Sequence, residues 1–171
     1  MITFQKIKWK NFLSTGDHWS EIDFLGHTTN LVVGTNGSGK STMLDALTFS
    51  LFNKPFRKIN KSQLINATNE KDCVVEVEFT VNNKDYLVRR SIKPNKFDIE
   101  VNGTLLHKES DDRFNQKLLE ESILKVNYKS FTQIVILGSS SFVPFMQLST
   151  SNRRDVIEDL LDIRIFSAMN G

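Results

Sequence analysis

Cysteine, proline and long apolar runs are all scarce in this sequence of 171 residues, which has one cysteine and three prolines. The single cysteine, Cys73, excludes an internal disulfide and a multi-cysteine zinc site, so a small core residue is its expected role. No apolar run approaches the roughly 18 residues of a membrane-spanning helix. The amino terminus also lacks the residue order of a secretory signal. We therefore expect a soluble protein of the cytoplasm, with no membrane partner.

The charge balance is equally unremarkable, with 22 Lys and Arg against 20 Asp and Glu. A net charge of +2 is too small to indicate nucleic-acid binding by itself. Hydrophobic residues make up 39% of the chain and include 13 phenylalanines. This is enough apolar material for one domain, and it excludes wholesale disorder.

Hydrophobic periodicity predicts a mixed α/β chain. Apolar and polar residues alternate where half-buried strands are expected, and continuous apolar runs indicate buried strands. Asn102-Gly103 suits a tight hairpin, because both central residues of that turn need positive φ. The predicted strands are 2–9, 18–24, 30–33, 75–81, 86–90, 97–101 and 131–137. The predicted helices are 40–52, 111–125 and 151–169, and 54–72 is predicted to be an exposed basic loop.

Residues 34–41 carry the chemistry, because Gly-Thr-Asn-Gly-Ser-Gly-Lys-Ser matches the phosphate-binding loop G-x-x-x-x-G-K-[ST]. Its glycines let backbone N–H groups converge on phosphate oxygens. Lys40 is expected to reach the β- and γ-phosphates, and the Ser41 hydroxyl to ligate Mg²⁺. The helix that follows directs its positive dipole end at the same anion. The predicted loop contacts are Asn36, Gly37, Ser38, Gly39, Lys40, Ser41 and Thr42.

A phosphate-binding loop alone does not hydrolyse nucleotide, since hydrolysis also needs an acidic Mg²⁺ site and a group that positions water. The usual Mg²⁺ acid follows an apolar strand. The apolar run 134–137 is followed by Gly138 instead, and Glu158-Asp159 lies in a segment with helical spacing. We therefore expect the remaining catalytic groups to come from another polypeptide segment.

Three further segments accompany the loop: Lys10-Asn11-Phe12-Leu13-Ser14, Ile22-Asp23-Phe24 and Leu44-Asp45-Ala46-Leu47. In this order they resemble the N-terminal half of an SMC-like ABC ATPase head, above all the SbcC-type DNA-repair ATPases. Residues 128–169 are most similar to the large subunits of recombination nucleases from T-even-like bacteriophages. The resemblance covers essentially the whole chain.

The resemblance implies a P-loop NTPase fold of the ABC type. Residues 1–150 would form the N-terminal lobe with its antiparallel β meander, and 151–171 would begin a coiled-coil helix. It implies ATP and Mg²⁺ as ligands, and ATPase activity only when the C-terminal lobe and a second head, in a homodimer, complete the site. It further implies an SbcD-type nuclease partner and double-stranded DNA. For a phage protein the location would be the host cytoplasm.

Two positions depart from the family pattern. Ser139 stands where relatives place a glutamine that contacts Mg²⁺ and water. Leu13 stands where many relatives have a nucleotide-contacting arginine. The resemblance makes Ser14 a further nucleotide contact. For Ser139 two alternatives stay open: it acts at the nucleotide site through a water, or this subfamily does without that ligand. It also assigns DNA-phosphate contact to four residues of the basic loop, Lys54, Arg57, Lys58 and Lys61, although such a run of charges is usually just a solvated face.

Three other functions remain open from the sequence. An ABC transporter domain would share the loop and the meander. A P-loop kinase would need an arginine-rich lid and its own Mg²⁺ acid, and neither is evident in the sequence. A structural head that does not hydrolyse ATP is compatible with the chain.

Overall fold

The computed structural model describes residues 2–106, 111–136 and 145–161. The chain divides into two compact units, Met1–Gln116 and Lys117–Gly171. Among the described residues, no helix has the length and apolar character needed to cross a bilayer.

The first unit is built on a six-stranded antiparallel sheet in the order β2-β1-β3-β4-β5-β6. The alternating sequences of the predicted meander form the centre and one side of this sheet, as expected. Asn102 and Gly103 turn the chain between β5 and β6 with φ of 49° and 77°. The strands are β1 Ile2–Lys10, β2 Ser20–Asp23, β3 Cys73–Val81, β4 Lys84–Ile92, β5 Lys96–Val101 and β6 Thr104–Leu105.

Helix α1, Thr42–Phe52, packs on β1, β3 and β4 and confirms the predicted helix after the phosphate loop. It is buried on more sides than one apolar stripe would require, since Asp45, Thr48 and Ser50 are buried too. The segment that follows contains a 3-10 helix, Lys61–Leu64, whose Leu64 is fully buried. Asn53 ends α1 in the left-handed conformation and donates its N–H to the carbonyl of Phe49.

Cys73 is a core residue, as predicted. It begins β3, is fully buried, and burial raises the pKa of its thiol to about 12. The thiol is therefore protonated at neutral pH.

The predicted buried strand at 30–33 is wrong. These residues adopt no strand, and Leu31 and Val33 are 87% and 80% exposed. An apolar strand of this type is buried only between hydrogen-bonded neighbours. Every strand of the described sheet has its partners elsewhere, and none pairs with 30–33.

The predicted helix at 111–125 is observed in two parts. Helix α2, Asp112–Lys117, continues directly into a π-helical segment, Leu118–Leu124. Gln116 connects α2 to α1 and β4, because its Nε2 donates to the carbonyl of Leu51 and its Oε1 accepts from Arg90.

The described part of the second unit is helical, and the strand predicted at 131–137 is wrong over 131–136, while residue 137 lies outside the described residues. Residues Tyr128–Ile134 form helix α3, in which the Asn127 side chain accepts from the N–H of Ser130 and caps the first turn. Phe131 and Ile134 also fit a helical spacing of three, and a short apolar run does not distinguish the two structures. Helix α4, Thr150–Leu160, confirms the start of the predicted last helix, and Lys129 of α3 contacts Asn152 and Asp155 of α4.

Candidate functional site

The phosphate loop lies in the first unit and leads directly into α1. Gly37 and Gly39 have φ of 84° and 90°, a backbone conformation that a side chain would strain. Ser41 occupies the N-cap position of α1, yet its hydroxyl makes no capping hydrogen bond. The hydroxyl is therefore available to a ligand at the positive end of the helix dipole.

Lys40 bends back over its own loop. Its Nζ donates to the carbonyls of Gly34 and Thr35 at 2.6 and 2.8 Å. These acceptors are neutral, whereas a phosphate oxygen would form a stronger, charge-assisted hydrogen bond with the same ammonium. The geometry therefore fits a lysine that can exchange carbonyl partners for phosphate.

The loop forms one wall of a cavity of about 490 Å³. Seven of the predicted contact residues line it together, and their neighbours come from the segments near residues 13 and 57–67. Ser38 does not belong to this lining; its N–H donates to Thr35. Ser139 lies outside the described residues. The lining consists of Leu13, Ser14, Asn36, Gly37, Gly39, Lys40, Ser41, Thr42, Arg57, Gln63, Ile65 and Ala67.

Hydrogen bonds between the segments 11–17 and 64–69 hold the wall of the cavity that contains Leu13 and Ser14. The buried Asn11 side chain donates to Asp17 at 3.1 Å and accepts from Asn69 at 2.6 Å. Leu13 has a φ of 54°, which is rare for a bulky side chain. It is held on both sides, because its N–H donates to Leu64 at 2.6 Å and its carbonyl accepts from Asn66 at 3.1 Å.

Arg57 lines the cavity and is anchored by Asp45 of α1. The fully buried Asp45 carboxylate accepts from the backbone N–H, Nε and Nη2 of Arg57 at 2.9, 2.6 and 2.5 Å. The sequence predicted Arg57 as a DNA contact and did not identify its place in this cavity. The one sequence signal for this position is the acidic residue Asp45 on the predicted helix, which could pair with a residue of the basic loop.

The other three basic-loop residues are exposed, as predicted. The Lys61 ammonium lies 5.9 Å from the centre of the Phe49 ring. Burial, with the nearby charge of Arg90, lowers the pKa of Lys61 from its usual value. The role of the loop in DNA binding stays a prediction.

Comparison with known proteins decides the family. The AAA domain family matches residues 6–165. The chain belongs to the AAA domain family.

Relatives of this AAA domain confirm the resemblance to SbcC-type and phage proteins. The chain is 43% identical over 165 residues to exonuclease subunit 2 of Enterobacteria phage T4, covering 96% of the chain and 29% of that protein. It is 32% identical over 164 residues to the DNA double-strand break repair Rad50 ATPase of Methanococcus maripaludis, covering 93% and 16%. It is 30% identical over 148 residues to the SbcC component of the SbcCD nuclease from Clostridium acetobutylicum, covering 78% and 12%. The AAA domain thus spans less than a third of the length of each of these relatives.

Solved structures confirm the predicted fold class. An Smc head domain from Pyrococcus furiosus, solved with a segment of ScpA, has a TM-score of 0.64 at 23% identity, covering 99% of this chain and 44% of that one. A structure from a study of ATP-driven dimerisation and DNA-stimulated activation of SMC ATPases has a TM-score of 0.62 at 22% identity, covering 92% and 99%. The AAA domain therefore has the ABC-type P-loop fold of SMC ATPase heads.

Proposed function

We propose that the chain is the ATP-binding N-terminal lobe of an SMC-like ATPase head that works with a nuclease on DNA double-strand breaks. In this proposal residues 1–150 form the lobe and 151–171 begin a coiled coil. The observation that carries it is the phosphate loop, in which Lys40 and Ser41 border a cavity large enough for a nucleotide.

The residues present fit ATP and Mg²⁺. Lys40 and the glycine-containing loop would hold the β- and γ-phosphates, and the Ser41 hydroxyl would hold Mg²⁺. Arg57 lines the same cavity as Leu13, so it would supply a second cation there, whereas the resemblance leads one to expect an arginine at position 13 itself. Mg²⁺, when bound, would neutralise part of the negative charge of the triphosphate and so favour transfer of the terminal phosphoryl group to water.

The partners are proposed from the names of the relatives and from the exposed segment 30–33. A C-terminal lobe of the same ATPase would pair with the backbone of this apolar segment, with which no strand of the described sheet pairs. A second head would then close over the nucleotide, and an SbcD-type nuclease would receive the resulting motion. Relatives named as nuclease subunits and as a double-strand-break repair ATPase support this assignment.

Double-stranded DNA is proposed to contact the exposed loop that holds Lys54, Arg57, Lys58 and Lys61. Since Arg57 is also bound to Asp45, Lys54 and Lys58 are the residues whose charge can be reversed without disturbing the nucleotide cavity. Such binding would be independent of sequence and sensitive to salt.

The test measures steady-state hydrolysis of Mg-ATP by the chain alone and after titration with the C-terminal lobe. We expect no turnover alone and turnover on mixing. We also expect Lys40→Ala to abolish turnover and weaken Mg-ATP binding by about ten- to a hundredfold, as loss of a charged hydrogen-bond donor implies. Lys96→Ala, at an exposed lysine of β5, is the matched control and should leave both properties unchanged.

Two outcomes would overturn the proposal. Robust turnover by the chain alone would indicate a self-contained P-loop enzyme. Unchanged Mg-ATP affinity in Lys40→Ala would mean that the loop does not bind the phosphates.

A further inference from the structure

One part of the nucleotide cavity differs in chemistry from the phosphate loop. It is lined by three apolar side chains, Leu13, Ile65 and Ala67, and by the amide of Gln63. Apolar surface does not suit a triphosphate, which needs cations and N–H donors. An aromatic base suits it, because a base has an apolar face and a polar edge.

The Gln63 amide has a defined orientation. Its Oε1 accepts the backbone N–H of Asn60 at 2.8 Å, while its own backbone N–H donates to the carbonyl of Asn60 at 3.0 Å. A backbone N–H can only donate, so the amide oxygen must be the atom that faces Asn60. The Nε2 amino group is therefore the polar group that Gln63 can present to a ligand in the cavity.

The elements on either side of Gln63 are firmly held. Leu64 is fully buried, and its carbonyl accepts the N–H of Leu13. Asn66 closes the same connection with its side chain on the Leu13 carbonyl. The apolar residues and the amide donor are thus supported by the buried part of the unit, as a specificity site requires.

From this arrangement we propose that Gln63 reads the base of a purine nucleotide by donating Nε2–H to a ring-nitrogen acceptor, while Leu13, Ile65 and Ala67 cover the base. The inference rests on the proposed function, which supplies the triphosphate end of the ligand. It adds a base-recognition residue that the phosphate-loop motif does not contain.

The experiment compares the binding of several ligand analogues to the unmodified chain and to its variants. Equilibrium affinities are measured in the presence of Mg²⁺. The ligands are ATP, its 1-deaza, 3-deaza and 7-deaza analogues, and inorganic tripolyphosphate. Each deaza analogue replaces one acceptor nitrogen with a C–H group. We expect one of them to bind the unmodified chain about three- to tenfold more weakly than ATP, the range for one neutral hydrogen bond.

In Gln63→Leu that difference should vanish, and ATP affinity should fall by the same factor, while tripolyphosphate binds as before. Ser62→Leu, at the exposed preceding residue, is the matched control and should retain the discrimination. Equal affinity of the unmodified chain for ATP and all three analogues would overturn the inference, as would discrimination that persists in Gln63→Leu. Failure of both ATP and tripolyphosphate to bind the unmodified chain would instead contradict the proposed function.

Discussion

The Asp45–Arg57 pair places a fully buried carboxylate opposite a guanidinium that is about half exposed, with side-chain exposures of 0% and 46%. The two partners therefore differ in the solvation that each would have without the other. Arg57 can turn toward solvent if Asp45 is removed, whereas the Asp45 carboxylate would stay buried if Arg57 is removed. Breaking a buried pair is costly mainly because of the charge that stays behind.

We therefore predict that Arg57→Met destabilises the chain more than Asp45→Asn does. Removing the guanidinium strands the buried carboxylate and should lower the free energy of unfolding by about 3 kcal/mol. Asp45→Asn removes the charge but retains an acceptor for the Arg57 N–H, so a loss of about 1 kcal/mol is expected. Urea denaturation at neutral pH measures both.

Lys58→Met is the matched control for loss of a basic-loop charge, because Lys58 is the exposed neighbour of Arg57. Its stability should stay within about 0.5 kcal/mol of the parent chain. If Asp45→Asn proved the more damaging substitution, the pair would not be governed by the stranded carboxylate.

Among the elements, the central strands are joined by a row of charges on the sheet face that carries Lys8 of β1, Glu76 of β3 and Arg89 of β4. Glu76 is the direct cross-strand neighbour of both Lys8 and Arg89. The Glu76 carboxylate is 5% exposed and lies 2.8 Å from the Lys8 ammonium and 2.6 Å from Arg89 Nε. Burial alone would raise the pKa of Glu76, but the hydrogen bonds and charges of Lys8 and Arg89 outweigh it and hold that pKa below its usual value of 4.5.

A depressed carboxylate pKa stabilises the fold above the unfolded-state pKa and loses that contribution as pH falls through the folded-state value. We predict that Glu76→Gln lowers the free energy of unfolding by about 2 kcal/mol at pH 7. The difference from the parent chain should narrow progressively below pH ~4.5, because the unfolded chain takes up a proton at Glu76 there before the folded chain does. Denaturation series between pH 7 and pH 3 measure it.

Glu78→Gln, two residues along the same strand and less buried, supplies the comparison. It should cost less than Glu76→Gln throughout. A Glu76→Gln deficit that stayed constant down to pH 3 would show that the charges of Lys8 and Arg89 do not stabilise the carboxylate.

The elements also show how far sequence reasoning reached. The meander was predictable, because alternation and the Asn102-Gly103 turn are local signals that its antiparallel pairing preserves. Helix 128–134 was not predictable, because its short apolar run fits a strand as well as a helix. Its capping residue, Asn127, also occurs commonly in turns, so it did not decide between the two. The phosphate-loop half of the cavity followed from its motif. Leu13, Gln63, Ile65 and Ala67 did not, because hydrogen bonds between distant loops bring them there.

At the scale of the whole molecule, the segment 30–33 is an exposed apolar surface. It joins β2 to the phosphate loop, and its apolar side chains face solvent instead of the sheet on which α1 packs. An apolar segment of high β-propensity left exposed is normally either covered by a partner or prone to aggregate. Because the segment lies immediately before the nucleotide site, the C-terminal lobe of the proposed function is the partner expected to cover it.

We predict that Leu31→Glu weakens association with the C-terminal lobe at least about tenfold, while the stability of the isolated chain changes by less than about 0.5 kcal/mol. The reason is that Leu31 is 87% exposed in the free chain, so a charge there is costly only when a partner covers it. Leu25→Glu is the matched control, since Leu25 is 62% exposed and lies outside the segment. Titration calorimetry gives the affinity, and urea denaturation gives the stability. If Leu31→Glu bound the lobe normally, the segment would not be the interface, and the nucleotide site would have to be completed from another side.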